Sequence, residues 1–190
     1  MLSRFRNPSI NPLPRKEMID RQLTCDEQHM SEALAEARAA LEAGEFPVGC
    51  VIARGDQIMA RGRRSNSRGE AANELDHAEI STLRLFLGRH PEVSPGEVTL
   101  YATMEPCLMC YTTMLLNGIR RIVYGYEDAM GGGTGLDLSG LAPLYREMRL
   151  GIVPHLRRAE CLALFREFFG NADHDYWRGS PLAEYTLRQS

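Results

Sequence analysis

Apolar residues recur at helical spacing near the start of the chain. Met30, Leu34, Ala37 and Leu41 form one stripe, so a helix is expected there. Thr24 with Glu27 three residues on reads as its capping box, and Gly44 as its stop. Val48, Cys50 and Ile52 alternate, which predicts a hairpin of 46–53 and 57–61 about Arg54-Gly55-Asp56. A polar loop follows over 62–76, then a helix over 76–87 ending at Gly88. The β-branched run 98–103 predicts a strand. Pro106 fits the first position of a third helix that stops at Asn117-Gly118. Further on, the pattern predicts a strand over 120–126, a flexible glycine turn at 131–135 and a helix near 139–148. A strand over 150–155 and an amphipathic helix over 158–169 complete it.

Alternation of strand and helix from the third strand onward implies a three-layer α/β/α architecture. The expected fold is a mixed sheet of about five strands with helices on both faces. Residues 1–23, with Pro8, Pro12 and Pro14 and little periodicity, read as a flexible N-terminal extension. Residues 24–170 then form one domain, and 171–190 a polar C-terminal tail carrying Tyr176, Trp177 and Tyr185. The glycines of 131–135 match neither phosphate-binding spacing.

Composition narrows the class. The chain has 190 residues, 44% hydrophobic and 25% charged, as expected of one globular domain with a real core. No apolar run approaches the ~20 residues of a membrane-spanning helix, and the first residues have no apolar stretch to serve as a secretory signal. A cytoplasmic location without membrane association is the expectation. Net charge is −3, so composition does not announce nucleic-acid binding. Lys16 is the one lysine among 22 cationic residues. Arginine patches at Arg61, Arg63, Arg64 and Arg68 and at Arg120-Arg121 read as either solvated surface or phosphate contacts. Five cysteines, an odd number, suit a reducing compartment better than a disulfide framework.

Two of those cysteines carry chemistry. Cys107 and Cys110 stand three apart at a helix start, where both sulfurs reach one ion and the helix N-terminus favours thiolate. His77-Ala78-Glu79 stands at another helix start after a polar loop. Crossover geometry brings such starts to one edge of a sheet, where ligands bind in α/β folds. His77, Cys107 and Cys110 then give three zinc ligands and leave one position open, the catalytic rather than the structural count. Glu79, two residues past a ligand, is placed as a general base without ligating. The alternatives are a Cys-x-x-Cys redox pair, which leaves His77-x-Glu79 without a role, and a non-catalytic zinc-stabilised RNA-binding protein, which does not need Glu79.

The string His77-x-Glu79 followed by Pro106-Cys107-x-x-Cys110 matches the zinc deaminase signature. The chain resembles the cytidine deaminase-like superfamily, and within it most resembles the bacterial tRNA adenosine deaminases. Phe46-Pro47-Val48-Gly49, Thr99-Leu100-Tyr101 and Glu105-Pro106-Cys107-Leu108-Met109-Cys110 carry the likeness, which extends over about 27–169 through Glu160-Cys161 and Phe168-Phe169. The resemblance implies a Zn2+-dependent hydrolytic deaminase of a nucleobase, with adenosine-to-inosine conversion in tRNA foremost. A free base or nucleoside (guanine, cytosine or cytidine) is the alternative. It also implies substrate contacts from Asn66, the Ala78 backbone and Asp128. The third helix carries Leu108, Met109, Tyr111, Met114, Leu115 and Leu116 around its circumference. With the resemblance, that implies a homodimer. The extension, the aromatic tail and the acidic pI of about 6.0 depart from the family pattern.

Overall fold

The computed structural model describes residues 14–189. Thirteen of the 23 residues assigned to the N-terminal extension lie outside that range. The rest begin a helix, α1 (Arg15–Glu42), which opens at Pro14, ten residues before the expected capping box. Thr24 caps nothing: its hydroxyl donates to the Asp20 carbonyl inside the helix, at 3.0 Å. The first turns stand exposed, and the core-facing stripe is Met30, Ala33, Ala37, Ala40 and Leu41.

The hairpin forms as β1 (Gly49–Arg54) and β2 (Gln57–Arg63), turning at Gly55 and Asp56. After the polar loop come α2 (Ala78–Arg89) and β3 (Thr99–Met104), then α3 (Leu108–Leu116) and β4 (Arg121–Tyr126). Gly88 lies inside α2, not beyond it. Pro106 precedes the N-cap Cys107 instead of opening α3.

The sheet order is β2-β1-β3-β4-β5, with β5 the short strand Gly151–Val153. β1 runs antiparallel to β2 and β3, whereas β3, β4 and β5 are parallel. The register places Ile52 beside Leu100 and Leu100 beside Ile122. β3 and β4 are buried almost throughout, as parallel strands covered on both faces must be. α1 packs on the sheet with α5 (Arg158–Gly170), and α2 packs on it beside α3. The fold is the expected mixed five-stranded α/β architecture. Gly49 sets the approach of α1, because a Cβ there would stand 2.0 Å from the Ala33 carbonyl and 2.5 Å from the Ala37 nitrogen.

Two further expectations fail locally. The helix near 139–148 is replaced by a 3-10 turn at Leu138–Gly140 and a single turn, α4 (Pro143–Arg146), because Gly140 and Pro143 interrupt it. The 131–135 turn is held, not flexible. The Glu105 carboxylate accepts from the Asp128 and Thr134 backbone nitrogens, and Gly133 N donates to the Pro106 carbonyl. A Cβ on Gly133 would lie 2.7 Å from Leu108, so glycine permits the loop to pass against the start of α3. The tail folds back as α6 (Pro181–Arg188), burying Leu182, Ala183 and Thr186.

A partly buried ion pair ties α1 to the sheet. Arg121 donates to both Asp26 oxygens at 2.9 and 2.6 Å, and Tyr101 donates to Asp26 at 2.7 Å. Burial works to raise the Asp26 pKa, but the Arg121, Tyr101 and Gln22 hydrogen bonds outweigh it and hold the pKa below the usual carboxylate value. The contribution to stability is therefore present at neutral pH and fades as pH falls through the depressed value. Asp26→Asn is expected to cost about 2 kcal/mol at neutral pH. Urea unfolding checks it: the gap to the unaltered protein should narrow as pH falls below the usual carboxylate range.

Candidate active site

Two helix starts meet beside the ends of the strands. His77 is the N-cap of α2 and Cys107 the N-cap of α3, both with extended backbone. Their own helices lack a side-chain cap, so both side chains are free to turn toward each other. His77 Nδ1 lies 3.5 Å from Cys107 Sγ and 3.5 Å from Cys110 Sγ. The three donor atoms all fall within 4.8 Å of one another, forming a candidate metal centre.

The donor set fits zinc. A tetrahedral zinc with Zn–S of about 2.3 Å and Zn–N of about 2.0–2.1 Å holds sulfur and nitrogen about 3.6 Å apart, so His77 and both cysteines stand at ligating separation. Two thiolates and one imidazole are soft and borderline donors suited to zinc, and three protein ligands leave a fourth position for substrate or water.

The electrostatics of the cluster are strongly coupled. The Cys107 pKa is lowered to about 4, first by the Cys110 thiol donating to it, against burial, and then by His77. Cys110 is raised by that same pairing and by burial. Burial works to lower the His77 pKa, but Cys107 and Glu79 outweigh it and raise it to about 9. Glu79, in the first turn of α2 and only 4% exposed, is raised to about 7, chiefly by burial. A carboxyl with a pKa near neutrality both takes and gives protons under working conditions.

The cluster opens on a cavity of about 380 Å³. His77, Ala78, Glu79 and Cys107 line its floor, and Phe46, Val48, Met104 and Met130 give it apolar walls. Asp128 also lines it. Its Oδ1 accepts from the Met130 and Gly131 nitrogens at 2.9 Å each, and burial raises its pKa. Asn66 is not among the lining residues. Its amide donates to Asp76 at 2.7 Å, and its backbone is left-handed, with φ 55°.

Arg64 lines the cavity instead, two residues nearer the strand. It is 2% exposed, whereas Arg61 and Arg63 pair with Glu32 and Glu36 on the surface. Its Nη2 donates to the Asn73 carbonyl, and its Nε and Nη1 have no partner among the described residues. The other arginine patch is likewise structural, since Arg121 holds Asp26 and Arg120 donates to the Ile119 carbonyl. The remaining wall comes from the C-terminal segment: Tyr176, Trp177 and Leu182. Tyr185, grouped with them in the sequence, instead donates to Glu127 at 2.8 Å. Arg64, Glu74 and Leu182 were not distinguishable as site residues in the sequence. The Ser180-Pro181 helix start was a readable signal for α6, with Ser180 Oγ accepting from Ala183 N.

The profile of the cytidine and deoxycytidylate deaminase zinc-binding region matches residues 23–126. The tRNA-specific adenosine deaminase of Bacillus subtilis (strain 168) is 31% identical over 147 residues, 77% of this chain and 90% of that protein. Among solved structures, one from work on A-to-I editing by tRNA:A34 deaminases superimposes with a TM-score of 0.63 at 29% identity, covering 72% of this chain and 98% of that one. The guanine deaminase of Nitrosomonas europaea shares the fold, with a TM-score of 0.58 at 21% identity over 86% of this chain and 98% of that one. No helix among the described residues is long and apolar enough to cross a membrane.

Proposed function

Since the chain belongs to the zinc-binding cytidine and deoxycytidylate deaminase family and is a zinc-dependent hydrolytic deaminase, we propose that it converts adenosine to inosine in tRNA. The observation that carries this reading is the likeness to tRNA-specific adenosine deaminases across 90% of the Bacillus subtilis protein's length. The catalytic domain takes in 24–170, and Tyr176, Trp177 and Leu182 of the C-terminal segment wall its cavity.

His77, Cys107 and Cys110 would hold the metal. Zinc bound there would supply the charge that makes water nucleophilic at neutral pH. Glu79 takes a proton from the attacking water and delivers it to the ring nitrogen beside the amino-bearing carbon. A C–O bond forms at that carbon. Glu79 then takes the remaining proton from the newly added hydroxyl and passes it to the amino group, the C–N bond breaks as the carbonyl forms, and ammonia leaves. The Ala78 backbone and Asp128 orient the base between apolar walls. Arg64 helps to wall the cavity, held there by its Nη2 bond to the Asn73 carbonyl.

A second reading, deamination of a free base or nucleoside, is favoured by one observation: Tyr176 and Trp177 stand against the cavity. Flat aromatics exclude water and stack on a small base. Deleting 171–190 would strip Leu182 and Thr186 from the core, so a point change is the cleaner test. Trp177→Ala is expected to leave tRNA deamination near its original rate. Under the second reading it lowers kcat/KM for a free base or nucleoside by about tenfold, the worth of one aromatic stack. Ammonia release from both substrate classes separates the two readings.

A cytoplasmic location is supported by the five free cysteines. A homodimer is supported by Leu108 and Leu116 on α3, each 52% exposed, while Met114 and Leu115 of the same helix are buried within the subunit.

A further inference from the structure

His77 turns Nδ1 to the two sulfurs, so its Nε2 points outward, where it meets Glu74 Oε2 at 3.2 Å. The same carboxylate oxygen accepts from the Tyr176 hydroxyl at 2.9 Å and lies 3.4 Å from Arg64 Nη2. A metal-bound histidine needs a fixed acceptor on its outer nitrogen to hold its tautomer and ring plane. Glu74 is that acceptor, but its own side chain is 60% exposed and free to swing unless something fixes it. Tyr176 does so, from 102 residues further along the chain.

The position of Tyr176 is itself built. Its ring packs 5.2 Å from Phe46, beneath the Arg64 guanidinium at 5.7 Å. Downstream, Leu182 and Thr186 anchor α6 in the core, and Thr186 bonds Tyr126 at 3.0 Å. Upstream, His174 stacks on Phe168 at 4.3 Å. Trp177 holds a left-handed backbone, φ 56°, a costly conformation for a bulky residue that the flanking anchors enforce.

We propose that Tyr176 is a positioning residue of the zinc centre: its hydroxyl fixes Glu74, Glu74 fixes the His77 imidazole, and the metal site is complete only with the C-terminal segment docked. The inference rests on the zinc reading of His77, Cys107 and Cys110. It makes the segment that walls the substrate cavity also a part of the metal's support, so docking of that segment and metal affinity are linked.

The test is zinc affinity by competition with a chromophoric chelator, together with the visible spectrum of the cobalt-substituted protein. Glu74→Ala is expected to weaken zinc binding about tenfold. Tyr176→Phe, which keeps the ring and loses the hydroxyl, should weaken it about fivefold and alter the cobalt spectrum. Glu74→Gln retains an acceptor for His77 and should fall between Glu74→Ala and the unaltered protein. Tyr185→Phe removes a tyrosine–glutamate bond from the same segment away from the site and should change neither readout. Melting temperatures with zinc stripped should be alike for Tyr176→Phe and the unaltered protein. If Tyr176→Phe keeps full affinity and spectrum, or loses affinity only in step with stability of the stripped protein, the proposal is overturned while the zinc reading stands. If the unaltered protein binds no zinc, both fall.

Discussion

Glu79→Ala, and its isostere Glu79→Gln, should keep zinc at the level of the unaltered protein and lose about a thousandfold in deamination rate. The carboxylate lies in the first turn of α2, two residues beyond His77, and is buried at the cavity floor without ligating. Removing it leaves the His77 and cysteine donors untouched. What disappears is the buried carboxyl beside the donors that accepts a proton from water and returns it to the base. Metal analysis beside ammonia release checks both halves. Alanine opens space in a buried site and glutamine does not, so a similar loss in both variants assigns the effect to proton transfer instead of packing. A Glu79→Gln protein that turns over at the original rate would remove Glu79 from the mechanism.

The second large effect is on the metal and on stability together. Cys107→Ser or His77→Ala takes one of three protein donors from the site. Zinc bound only by the folded chain stabilises it by mass action, about 4 kcal/mol when zinc stands a thousandfold above its dissociation constant. For a domain of this size the loss corresponds to a melting temperature lower by about 10 °C. Cys25→Ser, at a half-buried cysteine outside the site, should keep both zinc and melting temperature. Scanning calorimetry in the presence of zinc, followed by metal analysis, gives the answer. Equal melting of Cys107→Ser and the unaltered protein would contradict the assignment.

How much of this was legible in the sequence depends on how local each feature is. His77, Glu79, Cys107 and Cys110 were readable because spacing within one helical turn fixes their relation, and because both segments follow loops that open helices. The parallel β3-β4-β5 half of the sheet was readable for the same reason, as alternating strand and helix. The start of α1 was not. A capping-box pattern at Thr24 is a local signal, and the chain overrode it by continuing a helix from Pro14. Asn66 is a position that spacing alone leaves open. Its offset from His77 suited a substrate contact, yet the loop folds so that its amide serves Asp76 and Arg64 lies against the cavity. Arg64 looked like one of several surface arginines, and only the path of the loop tells it from Arg61 and Arg63. Glu74 and Tyr176 lie 102 residues apart, and no periodicity connects them. The tail was read by its polarity, although Leu182, Ala183 and Thr186 after Ser180-Pro181 carry the buried face of a capped helix.

The most direct test is the product formed by the zinc-loaded protein in heavy-oxygen water. Substrates are tRNA, adenosine and the free bases, with ammonia measured alongside. The expected result is ammonia from tRNA in step with inosine that carries the heavy oxygen in place of the amino group, and neither product from the Glu79→Gln protein. A protein that holds zinc at His77, Cys107 and Cys110 yet releases no ammonia from any of these substrates would contradict it.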